Sequence, residues 1–328
     1  MASPFPPSGS APGKGNLVVR LLPHNISALA QMTFQYPLKL ISPSPSAGQK
    51  SVLVFLLTYG GGLVGGDQID FSVVVQTNAK LSLATQGHTK IFKSPKRDVA
   101  TRQQLNFTLE SGSAVCLLPD PIQPFEGSVY QQSQVFTLAD DSSLCLLDWC
   151  SAGRSARGER WDFRAYNNRN EVWSLGNGGK RRLLLRDNVV LEGSDVITEA
   201  TMLKKKMQGI GIFGSLILKG PLVGGLAEFF LSEFTALPRI GARDFRSDQK
   251  RERDSELTIS HHESWRISRL QQEKDDGLLW SAAKVRGCTI VKFGARTVEG
   301  GRTWIGEMIK DEGSISRIFG EDSTMCVR

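Results

Sequence analysis

The feature that most constrains this chain is a period of two. Ile69, Phe71, Val73 and Val75 alternate with Asp70, Ser72, Val74 and Gln76, and Leu105, Phe107 and Leu109 alternate with Gln104, Asn106, Thr108 and Glu110. Leu81–Thr85, Val115–Leu118, Gln134–Leu138 and Leu144–Trp149 continue the series, at a spacing of about ten residues with Gly, Pro, Asn or Asp between them. Side chains of a strand point alternately to its two faces, so each run has one face to bury. Many short strands at this spacing predict a mainly β architecture, a sandwich, a barrel or a solenoid. No strict repeat is visible, which argues against a regular repeat protein.

Helical pattern is confined to two places. Leu226–Leu237 ends at Pro238, and Val298–Asp311 puts Gly301, Trp304, Ile305, Met308 and Ile309 on one face with Thr297 as N-cap. The stretch 242–262 mixes charges of both signs and predicts a solvated insertion; residues 1–15, rich in Pro, Ser and Gly, predict a disordered tail. The remainder, 16–328, is expected to be one domain. At 328 residues the chain can build its own core.

Composition narrows the function. Forty Lys and Arg against 33 Asp and Glu give a net charge of +7, but the signs are interspersed, which disfavours a phosphate-binding stripe and hence nucleic acid. No apolar run is long enough for a membrane span. The five cysteines are scattered and form no Cys-x-x-Cys pair, as expected of buried thiols in a reducing, cytoplasmic compartment. Gly60, Gly62, Gly65 and Gly209, Gly211, Gly214 match a dinucleotide fingerprint, yet strand pattern follows each where a helix N-terminus would have to hold the pyrophosphate. Glycine turns between strands explain both. The adjacent His261 and His262 read as exposed surface, and no hydrolase, Walker or zinc-protease motif occurs.

What remains is an ordered set of turns. They are Gly61-Gly62 with Gly66-Asp67, Thr85-Gln86 with Thr89-Lys90 and Ser94, Leu118-Pro119, and Gly153-Arg154 with Gly158-Glu159. In this order and at these intervals the chain closely resembles the UreD (UreH) family of urease accessory proteins, from about Tyr36 to the C-terminal helix. The Asp120-Pro121 that follows Leu118-Pro119, and the long charged insertion, are similar to eukaryotic, fungal-like members and unlike bacterial ones.

The resemblance implies a non-enzymatic protein with an irregular, largely right-handed β-helix, a solenoid-like stack of short strands with about two helices. It implies binding to UreF, which recruits the GTPase UreG, and docking on apo-urease, where nickel is delivered through a water-filled tunnel. No cofactor is then permanently bound, and Ni²⁺ is in transit. The scarcity of imidazole and thiolate suits transit better than storage. Asp67, Asp148, Glu159 and Asp162, in or near the family-like turns, are the candidate path carboxylates; the alternative is that they pair with Arg154, Arg157 or Arg160 to fix those turns. Trp304, Ile305, Met308, Ile309, Ile315, Ile318 and Phe319 are the candidate UreF surface, with Ile315–Arg328 expected to order on the partner unless it caps the β core. The competing function is a β-rich interaction module without a metal role, ahead of an uncharacterised enzyme.

Overall fold

The computed structural model describes residues 11–176, 179–193, 203–237 and 261–328, without the side chains of His261 and His262. The expected tail through residue 10 and most of the charged insertion lie outside the described residues. Within them the chain is mainly β and forms two sheets, seven- and eleven-stranded, neither closed into a barrel.

Alternation along each strand sets the layers, and the route of the chain sets the order. Strand β1 (Lys14–Leu22) starts inside the expected tail, and β2 (Ile26–Phe34) pairs with it antiparallel in the first sheet. β3 (Leu38–Ile41) and β4 (Val52–Thr58) open the second. From there the chain visits three places in rotation. β5 (Gly62–Leu63) lies in a short strip, β6 (Gln68–Val75) in the first sheet and β7 (Lys80–Ala84) in the second. β8 (Thr89–Ile91), β9 (Thr101–Leu109) and β10 (Ala114–Leu117) repeat the circuit, as do β11 (Ile122–Pro124), β12 (Val129–Leu138) and β13 (Ser143–Ser151). Successive circuits pair in parallel, β6 with β9 and β9 with β12 on one side, β7 with β10 and β10 with β13 on the other. Connections that switch sheets are what parallel pairing demands, because a tight hairpin can only join antiparallel neighbours.

The later elements close this core. β14 (Ala165–Leu175) and β15 (Arg181–Glu192) extend the first sheet, and β16 (Ile212–Lys219), β18 (Cys288–Ala295) and β17 (Leu279–Val285) extend the second by antiparallel pairing. Both fingerprint-like glycine sets lead into strands, β5 to β6 in one case and β16 in the other. Helices α1 (Gly224–Thr235), α2 (His261–Asp275), α3 (Val298–Glu312) and α4 (Ser314–Phe319) make the chain more helical than the two helices expected. α2 falls where sequence pattern ends the solvated insertion. Its polar face is held by buried ion pairs: Arg266 and Arg269 donate to Glu233 of α1, and Arg269 also donates to Glu273.

Two large apolar cores result among the described residues, with a small third cluster of Leu53, Ala84 and Cys326. One fills the space between the sheets, with Leu17, Phe71, Phe107, Phe136, Leu146 and Val172 among its members. The other lies between the second sheet and the helices and contains Trp149, Phe230, Phe293 and Trp304. The residues expected to form the partner surface lie in or against this second core, as the alternative of a segment capping the β core describes. Trp304, Ile305, Met308, Ile309, Ile315 and Phe319 are each at most 1% exposed, and the half-buried Ile318 packs against the same core. The amphipathic face of α3 had to pack on something, and it packs on this chain's own sheet. Thr297 caps the helix by accepting the Gly300 N–H at 3.0 Å. The segment after it is pinned too, since Lys50 N–H donates to Phe319 O, and Cys326 S–H to Thr85 O at 3.3 Å.

Candidate functional site: a polar layer between the sheets

Strand parity determines which side chains enter the space between the sheets. On β13, Leu144, Leu146 and Cys150 face it, so Asp148 does as well, whereas Cys145, Leu147 and Trp149 face the helices. By the same parity Ser215 on β16 and Lys292 on β18 face inward. Register then aligns them, because Asp148 is opposite Ser215 and Ser215 is opposite Lys292. The facing sheet contributes two more rows. Gln103, Gln132 and Asn168 are neighbours across β9, β12 and β14, and Gln134, Asn170 and Asp187 across β12, β14 and β15. A polar layer thus crosses an otherwise apolar core.

Burying polar groups is costly unless they are paired, and here they are paired with one another. Asp148 is 7% exposed and accepts from the side-chain amides of Asn168, Asn170 and Gln132, the last at 3.3 Å. Gln134 donates to Asn170 Oδ1 at 3.0 Å, and Tyr130 OH donates to Gln132 Oε1 at 2.6 Å. Asp187 accepts from Ser215 Oγ at 2.9 Å and from Lys292 Nζ at 2.6 Å. Burial, reinforced by the negative charge of Asp187, pushes the Asp148 carboxyl above the usual range against the pull of its amide donors. Burial and then Asp148 push the Cys150 thiol up to about 12, and burial raises Tyr130 and Tyr166 as well. These thiol and phenol groups stay protonated at neutral pH. The layer is therefore a set of oxygen donors and amides around two carboxylates.

Two cavities lie beside the layer. A cavity of about 40 Å³ beside Asp148 and Gln132 also touches Leu56, Thr85 and Thr89. Those three residues line a second cavity of about 230 Å³ that is bounded by Gly60, Gly61 and His88 at the surface. The inner space has room for water. Asp120 shapes this mouth. Its carboxylate accepts from Thr85 Oγ1 at 3.0 Å, from the Gly87 N–H at 2.9 Å and from Arg302 of α3 at 2.9 Å. Burial holds the His88 imidazole below its usual pKa; Asp120 and Gln123 pull it back up, while Arg302 and Lys90 depress it further.

Of the four candidate path carboxylates, the structure places only Asp148 in this layer. Asp67 accepts the Val64 N–H at 2.9 Å and fastens its own turn. Asp162 accepts the Arg160 N–H at 2.7 Å. Glu159 binds the Arg154 guanidinium and accepts the Arg154 and Glu126 N–H groups, so that although burial raises its pKa, the bonds and charge of Arg154 bring it below the usual range. Pairing with arginine thus describes Glu159, and amide bonding, not arginine, describes Asp148. Sequence reasoning missed Asp187, Lys292 and the inward Gln and Asn residues. The available signal was Gln132 and Gln134 at the same parity as Tyr130 and Phe136, polar residues where alternation calls for apolar ones. Among the described residues no group of three or more His, Cys, Asp or Glu is clustered to hold a metal, and no helix is long and apolar enough to cross a membrane.

Comparison with known proteins shows the family. Residues 12–313 match the family model described as UreD urease accessory protein. A Schizosaccharomyces pombe protein named uncharacterized urease accessory protein ureD-like is 33% identical over 293 residues, 88% of this chain and 91% of its own length. Urease accessory protein 4 of Cryptococcus neoformans is 28% identical over 317 residues, covering 87% of this chain and 86% of that protein. Urease accessory protein D of Arabidopsis thaliana is 34% identical over 188 residues, 57% and 61% of the two chains. The match spans nearly all of the sequence and includes every turn that carried the resemblance, so the chain belongs to the UreD family of urease accessory proteins.

Proposed function

We propose that this protein is a non-enzymatic urease maturation factor that binds apo-urease together with UreF and UreG and gives Ni²⁺ a polar path towards the urease metallocentre. Family membership supports the role in maturation, and the layer centred on Asp148 is the observation that carries the path. A divalent ion stripped of water in dry protein is prohibitively unstable, whereas a row of carboxylate, hydroxyl and amide groups with room for water keeps it solvated. Oxygen donors bind nickel more loosely than several imidazoles or thiolates would, which suits passage over storage. In this reading the circuits of β5 to β13 are coils of an irregular β-helix, and the path lies inside the coil. Asp148 is the path carboxylate; Asp67, Glu159 and Asp162 hold turns around it.

The test is urease maturation in a strain lacking this protein. Urease activity and nickel content are expected to fall and to be restored by the wild-type chain. Asp148→Asn is expected to co-purify with apo-urease while leaving the metallocentre under-loaded. Normal urease activity without the protein overturns the maturation role. Full nickel loading with Asp148→Asn overturns the path and leaves an interaction scaffold without a metal role.

A further inference from the structure

The polar layer contains two buried carboxylates, Asp148 and Asp187, and one ammonium, Lys292. Lys292 Nζ donates to Asp187 Oδ1 at 2.6 Å and approaches Ser215 Oγ at 3.4 Å, while Ser215 itself donates to Asp187 Oδ2 at 2.9 Å. The Asp187 side chain is 8% exposed and that of Lys292 is 37% exposed. The ammonium thus reaches the carboxylate from the solvent side, with its charge 5.5 Å from the centre of the Phe213 ring. Ser215 stands between Lys292 and Asp148 in register, which places Lys292 one strand beyond the row's hydroxyl and two beyond its buried carboxylate.

We propose that Lys292 is the gate of this layer, a tethered counter-ion that fills the seat at Asp187 and Ser215 and must swing outward before a divalent cation is held between Asp187 and Asp148. The inference rests on the cation path proposed above and adds its control. Three observations converge. The seat already holds a positive charge, so its donors are set for a cation. Carboxylate and hydroxyl oxygens suit divalent ions of the Mg²⁺ to Ni²⁺ class. Finally, a lysine carries its charge on a flexible four-carbon stem that can lie along the protein surface with the head in water, so a half-exposed lysine has somewhere to go. An ammonium and a divalent ion at these carboxylates repel each other, and that repulsion is weakly screened in a buried layer. The ammonium and the metal ion compete for the seat, and the resting layer is closed at this end.

The experiment titrates Ni²⁺ into the purified full-length chain by calorimetry. Lys292→Met keeps the stem and removes the charge; it is expected to bind Ni²⁺ at least tenfold more tightly than wild type, Lys292→Arg to match wild type, and Lys292→Met with Asp187→Asn to lose the gain. Equal Ni²⁺ affinity in wild type and Lys292→Met, or a gain that survives Asp187→Asn, overturns the gate. A second measurement needs no variant. Acylation of Lys292 by an amine-reactive ester, read by mass spectrometry, is expected to rise severalfold at saturating Ni²⁺ and to stay level with NaCl of equal ionic strength; labelling that Ni²⁺ leaves unchanged overturns the proposal even if Lys292→Met is insoluble. Urease maturation is scored separately, so that tighter Ni²⁺ binding with normal maturation by Lys292→Met and Asp148→Asn refutes the path while leaving the competition at the seat established.

Discussion

Replacing Trp304 with Ala tests whether the C-terminal helix belongs to this chain's core or waits for a partner. Trp304 is 1% exposed and its indole lies against Trp280, Phe293 and Phe230, with ring centres 5.3, 5.4 and 6.1 Å away. Its Nε1 donates to Glu273 Oε1 at 2.9 Å, alongside the Trp280 N–H and Arg269. Truncating such a residue to Ala leaves a cavity in a core that relaxes only in part, a loss of about 3–5 kcal/mol. Removing a hydrogen bond to a charged group is worth about 1.5–3 kcal/mol more when it is counted alone, though the two Trp280 and Arg269 bonds that remain on Glu273 keep the added loss at the low end. The expected total is about 4.5–6.5 kcal/mol, a large part of the 5–15 kcal/mol that holds a typical domain together. Trp304→Phe keeps most of the ring volume and loses the bond, so it should cost well under half as much. Urea denaturation followed by tryptophan fluorescence and by circular dichroism measures both variants. A loss below about 1 kcal/mol for Trp304→Ala, whatever happens to UreF binding, would refute the assignment of this face to the chain's own core.

Three further outcomes follow from the same contacts. Gly65→Ala should lower the melting temperature because its Cβ would lie 2.7 Å from Pro95 Cδ and 3.0 Å from Ser94 Cα, and Gly66→Ala because φ is +97° there; a melting temperature equal to wild type in both would contradict the turn geometry. The depressed Glu159 carboxyl contributes stability that is present above its unfolded pKa and lost as pH falls through its folded value, so Glu159→Gln should flatten the acid side of the stability curve, measured by urea midpoints from pH 7 to pH 3. The His88 imidazole is held below its usual pKa in the folded state, so the unfolded chain takes up the proton first as pH falls through 6.5 and stability drops; His88→Gln should reduce that drop in melting temperature between pH 7 and pH 5.

Much of the local structure was legible in the sequence because strand parity and helix capping are local properties. The alternation at Ile69–Val75 and Leu105–Leu109 gives β6 and β9 with the expected residues inward, and the Thr297 cap with its apolar stripe gives α3. The turn motifs fixed the family, since each is a short run whose backbone geometry restricts its residues. Helix α2 was not legible. Its sequence is charged along most of its length, and it is the buried Glu233, brought from α1, that accepts Arg266 and Arg269 and gives those charges a reason to be helical. The packing partner of the α3 stripe was not legible for a related reason: an apolar stripe shows that a helix face is buried but not against what, and here it lies on this chain's own core.

The candidate site divides in the same way. Sequence alone determined that Asp148 is a carboxylate on a strand of otherwise apolar pattern, at the same parity as Leu144, Leu146 and Cys150. Only the tertiary structure decided what it meets, for its donors Gln132, Asn168 and Asn170 belong to the other sheet, as does Asp187, whose partner Lys292 is 105 positions away on the sheet of Asp148. Period two fixes the face of a side chain within its own strand. The register between strands, and the winding that brings the two sheets face to face, are set by the packing of the whole core, and it is they that gather these residues into one layer.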